Sequence, residues 1–223
     1  MDTQNQLPPP ALAGLTEIAP LTSPIIISDL HLAPTKPKTI MAFVRFMKTI
    51  APRYPELVIL GDLFDYWIGD DAHPEAQPVI ALLKLHAATG RRVIVMPGNR
   101  DVMLGAAFAR AAGAELIRDP IVADICGRKT LLAHGDQWCL RDVAYQKFRA
   151  LTHDSRWQAM MLMKSVEERL AIAKQARAQS ESEKGEKSMA DMDVVESAVA
   201  EAVKAAGVDL VIHGHTHKPA AHM

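Results

Sequence analysis

Residues 57–65 read LVILGDLFD. Four apolar residues in succession are short for a helix and lack the alternation of a half-buried strand, so LVIL reads as a strand buried on both faces. Gly61 suits a sharp turn after it, and Asp62 is delivered at the strand's carboxyl end. The same arrangement recurs along the chain. PIII (24–27) leads to Asp29 and His31, and VIVM (93–96) leads to Gly98, Asn99, Arg100 and Asp101. TLLA (130–133) leads to His134, Gly135 and Asp136, and LVI (210–212) leads to HGHTH at 213–217. Helical patterns separate several of these runs, at TIMAFVRFMKTIA (39–51) and at PVIALLKLHAATG (78–90), the latter closed by a glycine suited to a helix C-cap. Strands alternating with helices define an α/β fold.

The 25 basic and 26 acidic residues nearly cancel, and aromatic residues make up 5% of the chain. A nucleic-acid partner is therefore not expected, since neither a basic surplus nor a set of base-stacking rings is present. Cys126 and Cys139 form neither a CxxC pair nor a disulfide framework, as in a reduced intracellular protein. Residues 1–23 carry no positive n-region and are broken by proline, so they read as a flexible tail and not as a signal peptide. No stretch approaches the roughly 20 apolar residues of a spanning helix, so a cytoplasmic location is expected. Residues 141–190 contain no strand-like run and read as a helical insert. Met160, Met161, Met163, Val166, Leu170 and Ile172 would form one apolar face there, with Glu167, Glu168, Arg169 and Lys174 opposite. That face fits core packing, or a wall for an apolar ligand or a membrane surface.

In open α/β sheets the ligand site lies beyond the carboxyl ends of the strands. Each polar cluster alone is a weak signal; five in order at strand ends point to a metal site. The donors are oxygen and imidazole without thiolate, which suits Mn²⁺, Fe, Zn²⁺ or Ni²⁺ better than an all-oxygen Ca²⁺ site. Asp29, His31, Asp62, Asn99, His134, His215 and His217 are too many for one tetrahedral ion. With one bridging carboxylate they would serve two ions, an arrangement that splits phosphate esters.

The order D-x-H, G-D-x-x-D, G-N-x-D, H-G-D, G-H-T-H resembles the calcineurin-like metallophosphoesterases. The resemblance implies a β-sandwich flanked by helices, with a dinuclear site at the strand ends. It implies that Asp29, His31 and His217 hold one metal, that Asn99, His134 and His215 hold the other, and that Asp62 bridges them. Asp65 and Asp101 would support the ligands or be plain loop carboxylates.

Most members of that family have G-N-H where this chain has Gly98-Asn99-Arg100. Arginine is no proton donor at neutral pH. A phosphate monoester leaving group does not need one, because its last pKa is only about 6. Arg100 thus favours a pyrophosphate substrate whose oxygens it would hold with its planar fork. The plainer reading is that Arg100 pairs with Asp101 or Asp136.

SDLHL, GDLFDYWIGDD, MPGNRDVML, HGDQWCLRD and IHGHTHKPA narrow the resemblance, over roughly 24–223, to the pyrophosphatase family of lipid A biosynthesis. Its members split UDP-2,3-diacylglucosamine at the α-phosphorus into UMP and 2,3-diacylglucosamine 1-phosphate, usually with Mn²⁺, at the inner-membrane surface. The resemblance implies two divalent ions, a nucleotide-linked glycolipid substrate, peripheral membrane contact and action as a monomer. Catalysis would fall to Asn99, Arg100 and His215. Asp142, Tyr145, Arg177, Ser180, Lys184 and Lys187 would add substrate contacts, with Lys184 standing where relatives commonly have asparagine. Relatives continue past G-H-T-H-x-P with further strands, so a sheet short of strands is expected here. The competing readings are a phosphoesterase for another nucleotide or phosphodiester, and a protein-binding scaffold, which the intact ligand set disfavours.

Overall fold

The computed structural model of the chain describes residues 7–8, 15–184 and 193–221, with backbone alone over 179–184. Its strands are β1 (Glu17–Leu21), β2 (Pro24–Ile27), β3 (Glu56–Leu60), β4 (Arg92–Met96), β5 (Glu115–Leu116), β6 (Ile121–Ile125), β7 (Arg128–Ala133) and β8 (Leu210–His213). Its α-helices are α1 (Pro37–Thr49), α2 (Gln77–Ala87), α3 (Ala106–Ala112), α4 (Val143–Thr152), α5 (Ser155–Leu162), α6 (Val166–Lys184) and α7 (Glu196–Ala206). Among the described residues the strands form two four-stranded sheets, ordered β2-β3-β4-β5 and β1-β6-β7-β8. The first is wholly parallel. In the second, β6 and β7 form an antiparallel hairpin, and the outer pairs are parallel.

Side-chain alternation shows why the central runs are apolar throughout. Leu57 and Ile59 of β3, with Val93 and Val95 of β4, pack against α1, α2 and α3 through Phe43, Met47, Leu83 and Phe108. Val58, Leu60, Ile94 and Met96 point the other way and meet Leu21, Ile121, Ala123 and Leu132 of the second sheet. Val122, Leu131 and Ala133 then face α7 through Ala198 and Ala202. The layers are helix, sheet, sheet, helix, and the inner strands have no wet face. Each buried aliphatic side chain contributes roughly 1.5–3 kcal/mol. This is the α/β sandwich flanked by helices that the motifs imply.

The structure corrects three local expectations. The N-terminal tail ends before residue 17, because β1 pairs with β6 and buries Leu21. Pro20 obscured the strand, but β1 lies at a sheet edge, where proline is tolerated. The single apolar face drawn through Met160 to Ile172 is split between α5 and α6. A capping box separates them: Glu168 N donates to Ser165 Oγ at 3.2 Å, and Ser165 N donates to Glu168 Oε2 at 2.8 Å. Arg169, placed opposite the apolar face, is itself buried: it donates to Ile68 O at 2.7 Å and pairs with Asp71. The strand-free stretch after residue 140 carries α4, α5 and α6, and α6 runs through the start of the polar SESEKGEKS segment to Lys184.

The sheets are joined at the turn from β1 to β2. Glu56, 5% exposed, accepts hydrogen bonds from Thr22 N (3.1 Å), Thr22 Oγ1 (2.9 Å) and Ser23 N (3.0 Å). Burial disfavours its charge, but the Ser23 and Thr22 hydrogen bonds outweigh burial and hold its pKa below the ordinary 4.5. A lowered folded-state pKa gives stability that is present above the ordinary value and is lost as pH falls through the lowered one. Glu56→Gln is therefore expected to cost roughly 1–3 kcal/mol at neutral pH, by denaturant unfolding, with the gap closing in acid. A gap independent of pH would mean that the charge plays no part.

Candidate metal centre

The turns that follow β2, β3, β4, β7 and β8 converge. Strand pairing continues past the strand ends into these turns. Asp29 N donates to Gly61 O (3.1 Å), His31 N to Asp62 O (2.9 Å), and Gly214 N to His134 O (2.9 Å). To aim inward there, Asp29, His31, Asp62, His215 and His217 adopt left-handed backbone, with φ of 56°, 47°, 54°, 70° and 53°. Such conformations cost on the order of 1–3 kcal/mol each and persist where the surroundings over-determine them; aspartate and histidine bear them better than most residues.

All seven residues expected as ligands come together. Asp29, His31 and His217 present donor atoms within 4.8 Å of one another, and so do Asp29, Asp62 and His134. The Nε2 atoms of His31 and His217 are 3.0 Å apart. Asn99 Oδ1 lies 3.0 Å from His134 Nε2 and 3.1 Å from His215 Nδ1. Asp62 stands between the groups, with Oδ2 3.6 Å from His31 Nδ1 and Oδ1 3.7 Å from His134 Nε2. His134 Nδ1 donates to Leu60 O at 3.0 Å, which turns Nε2 toward the site. The two ends differ in access: the His134 side chain is fully buried, whereas that of His217 is 56% exposed.

The residues fit divalent cations. Asp29 Oδ1 and His31 Nδ1 are buried without a hydrogen-bond partner among the described residues. Burial, followed by the charges of Arg100 and His217, pushes the His31 pKa down to about 3. Burial and the charge of His134 push His215 down to about 4. Both rings are thus neutral donors. Burial foremost raises Asp62 to about 7, with Asp101 and Asp29 adding to it and His134 opposing. Burial disfavours a charged His134, but Asp62, Asp136 and Asp29 outweigh it and raise the ring to about 9. So much carboxylate charge in a buried pocket calls for cations.

Close approach needs glycine at three positions. A Cβ on Gly61 would lie 2.3 Å from His134 Nδ1, one on Gly98 2.3 Å from Asp62 Oδ1, and one on Gly214 2.5 Å from Asp29 Oδ2.

Supporting residues complete the rim. Asp101, fully buried, accepts from Gly98 N (2.7 Å), Phe64 N (3.1 Å) and Asp62 N (3.3 Å), so it braces the loops and is not among the clustered metal donors. Arg100 pairs with neither Asp101 nor Asp136. Its Nη1 is 3.2 Å from Asp65 Oδ1, and its Nε is 3.7 Å from Asp62 Oδ2. Asp65 also receives Lys36 Nζ at 2.9 Å and Arg177 Nη1 at 2.6 Å, which brings α6 to the rim. Asp142 caps α4 by accepting from Tyr145 N at 3.0 Å. The Tyr145 hydroxyl donates to Asp136 Oδ2 at 2.5 Å, and its ring stacks near His215 with centroids 5.9 Å apart. The side chains of Ser180 and Lys184 lie outside the described residues, as does Lys187.

The motifs did not single out Asp119 and Arg149. Asp119 Oδ1 accepts from His134 N at 3.0 Å, and Arg149 Nε donates to Asp136 Oδ2 at 2.9 Å. The available signal was spacing, since Arg149 follows Tyr145 by four residues on one helical face.

The family model for calcineurin-like phosphoesterases matches residues 24–219. The chain is 44% identical to a UDP-2,3-diacylglucosamine hydrolase of Bordetella pertussis over 201 residues, 89% of this chain and 78% of that one. It is 44% identical over 207 residues to a protein of the same name from Xanthomonas campestris, covering 89% of this chain and 84% of that one. A third of that name, from Chromobacterium violaceum, is 46% identical over 200 residues, 88% of this chain and 84% of that one. Matched by family model over nearly all of its sandwich, with acids and imidazoles gathered at the strand ends, the chain belongs to the calcineurin-like phosphoesterases, metal-dependent hydrolases.

Proposed function

We propose that this chain hydrolyses the pyrophosphate bond of UDP-2,3-diacylglucosamine, releasing UMP and 2,3-diacylglucosamine 1-phosphate, a step of lipid A biosynthesis. The observation that carries the reading is the placement of Arg100 beside the clustered donors, 3.7 Å from Asp62, in a chain 43–46% identical to hydrolases named for that substrate. In this reading Asp29, His31 and His217 hold one divalent ion, Asn99, His134 and His215 hold a second, and Asp62 serves both, with Mn²⁺ the favoured metal. When bound, such ions supply Lewis-acid stabilisation of phosphoryl charge and acidify the attacking water.

The chain's own residues do the rest. Arg100 is 30% exposed and reaches the site from its rim, so its guanidinium can meet phosphoryl oxygens without being deeply buried. It carries no proton for the leaving group, and a departing sugar 1-phosphate needs none. Asp65 holds Arg100 and Arg177 together, placing two guanidinium groups at the mouth of the site for a substrate with two phosphates. Asn99 and His215 lie with His134 at the buried end. The helices α4 to α6 form a cap in this reading, with Phe148, Leu151, Met160, Leu162 and Met163 exposed for apolar contact. Such a surface suits acyl chains and peripheral contact with the inner membrane. No helix among the described residues is long and apolar enough to cross a membrane.

The deciding assay supplies Mn²⁺ and compares UDP-2,3-diacylglucosamine with UDP-N-acetylglucosamine and bis(p-nitrophenyl) phosphate. UMP released from the acylated substrate alone is expected; equal cleavage of all three would leave a general phosphoesterase. Asp62→Ala and His134→Ala are each expected to lose bound metal, and to lose more activity than the roughly 10–100-fold that removal of a supporting contact costs. Full activity in either would remove the ligand assignment. Arg100→Gln is expected to lower kcat/KM by roughly 10–100-fold, the worth of a charged hydrogen bond, with metal content unchanged on elemental analysis.

A further inference from the structure

A buried ion-pair network lies behind the Asn99, His134 and His215 group. At its centre is Arg149 of α4, with a side chain 16% exposed. Its Nε donates to Asp136 Oδ2 at 2.9 Å, and its Nη2 donates to Asp119 Oδ2 at 3.4 Å. The two carboxylates are almost fully enclosed, with side chains 1% and 5% exposed. Each leads to a different histidine. Asp119 Oδ1 accepts from the backbone N–H of His134 at 3.0 Å, and also from Gln137 Nε2 at 3.2 Å. Asp136 Oδ2 accepts from the Tyr145 hydroxyl, whose ring lies parallel to that of His215 within 27°. The His134 and His215 rings in turn meet edge to face, 5.1 Å apart. None of these contacts reaches His31 or His217, which stack on each other with centroids 5.0 Å apart at the open end of the site.

We propose that Arg149 is a positioning residue for one of the two ions: it sets the His134 and His215 rings through Asp119 and through Asp136 and Tyr145. The proposal rests on the two-ion reading above. The physical reason is the pair of enclosed carboxylates. Without a cation between them, Asp119 and Asp136 repel at close range in a poorly solvated pocket and pull away from the groups they hold. The fork of the guanidinium lets one side chain satisfy both, whereas the lysine ammonium is a point charge. The effect falls on one end of the site because the side-chain contacts of Arg149, Asp119, Asp136 and Tyr145 reach only His134 and His215; the link onward to Asp29 is made by the backbone N–H of His215, at 2.9 Å, and not by its ring. It also makes α4 part of the metal centre: the helix carrying Asp142 and Tyr145 is tied to the ligands by the same arginine.

The test titrates the metal-free full-length chain with Mn²⁺ by calorimetry. His134→Ala and His31→Ala mark which binding step belongs to which group. Arg149→Met is expected to weaken the His134 step by about 10–100-fold while leaving the His31 step within about twofold. Arg149→Lys is expected to recover part of that loss. With substrate, Arg149→Lys should regain kcat as Mn²⁺ is raised, while KM stays near the parent value. Equal weakening of both steps, together with a lower melting temperature, would make Arg149 a fold residue only and overturn the proposal; so would no weakening of either. If Arg149→Met does not fold, Arg149→Lys decides alone, since it keeps the charge and must still weaken the His134 step selectively. A parent chain that binds fewer than two Mn²⁺ would overturn the two-ion reading itself, and that failure is distinct because it precedes any substitution at Arg149.

Discussion

One carboxylate, that of Asp101, decides where the candidate site sits. Fully enclosed, it gathers amide groups from the turn after β3 and the turn after β4. Those turns carry Asp62 on one side and Asn99 and Arg100 on the other. Burial raises its pKa, and the amides of Gly98 and Phe64 oppose that by stabilising the charge. Such a group is expensive to enclose and more expensive to leave half satisfied, so the two turns have one arrangement in which every partner is used. The left-handed residues beside it depend on that arrangement, because nothing local would hold Asp62 at a φ of 54°.

The same economy of aspartates explains the dense motif GDLFDYWIGDD at 61–71. Asp65 takes Arg177, and Asp71 takes Arg169. These arginines are eight residues apart on α6 and thus share a face, so the long helix is held at two points along one loop. Asp70 between them accepts from Gly105 N, Ala107 N and Phe108 N, and so seats the start of α3. A single, largely buried loop thereby orients a core helix and a peripheral one. Asp65, Asp70 and Asp71 work as supports, while Asp62, at the end of β3, is the one aspartate of the motif that joins the candidate metal donors.

The strands at the centre were legible because both their faces are covered. LVIL, VIVM and TLLA each lie between two packed layers, and Thr130 at the start of the last is their one polar residue. Strands with weaker patterns were not legible. β1 contains a proline, β5 is two residues long, and β6 carries polar Asp124 next to its last residue, before a Cys126-Gly127 turn with both φ positive. The gathering of Asp29, His31, Asp62, Asn99, His134, His215 and His217 was legible from their places at the strand ends, whereas residue type alone did not separate them from Asp101 and Asp136, which brace the same turns. Asp119 was not legible, because a carboxylate that grips a backbone amide leaves no mark in spacing, and the four-residue step from Tyr145 to Arg149 marks a shared helical face but not the two acids that the arginine joins. Neither was the pairing of Arg100 with Asp65, which depends on how two turns lie against each other.

Gly61, Gly98 and Gly214 have a consequence for anyone who would retool this scaffold. At each, the space of a single methyl group is already taken by His134, Asp62 or Asp29. Gly90, Gly127 and Gly207 have open space around the same point. A directed-evolution library that treats all glycines alike would therefore lose most of its members at those three codons and at Gly69, where a Cβ would lie 2.3 Å from Arg169 Nη1, whereas at Gly90, Gly127 and Gly207 only the left-handed backbone, with φ of 85°, 84° and 65°, resists substitution. Diversity is better spent on α4 to α6, where the side chains Phe148, Leu151, Met160, Leu162 and Met163 face outward and the barrel of choices is wide.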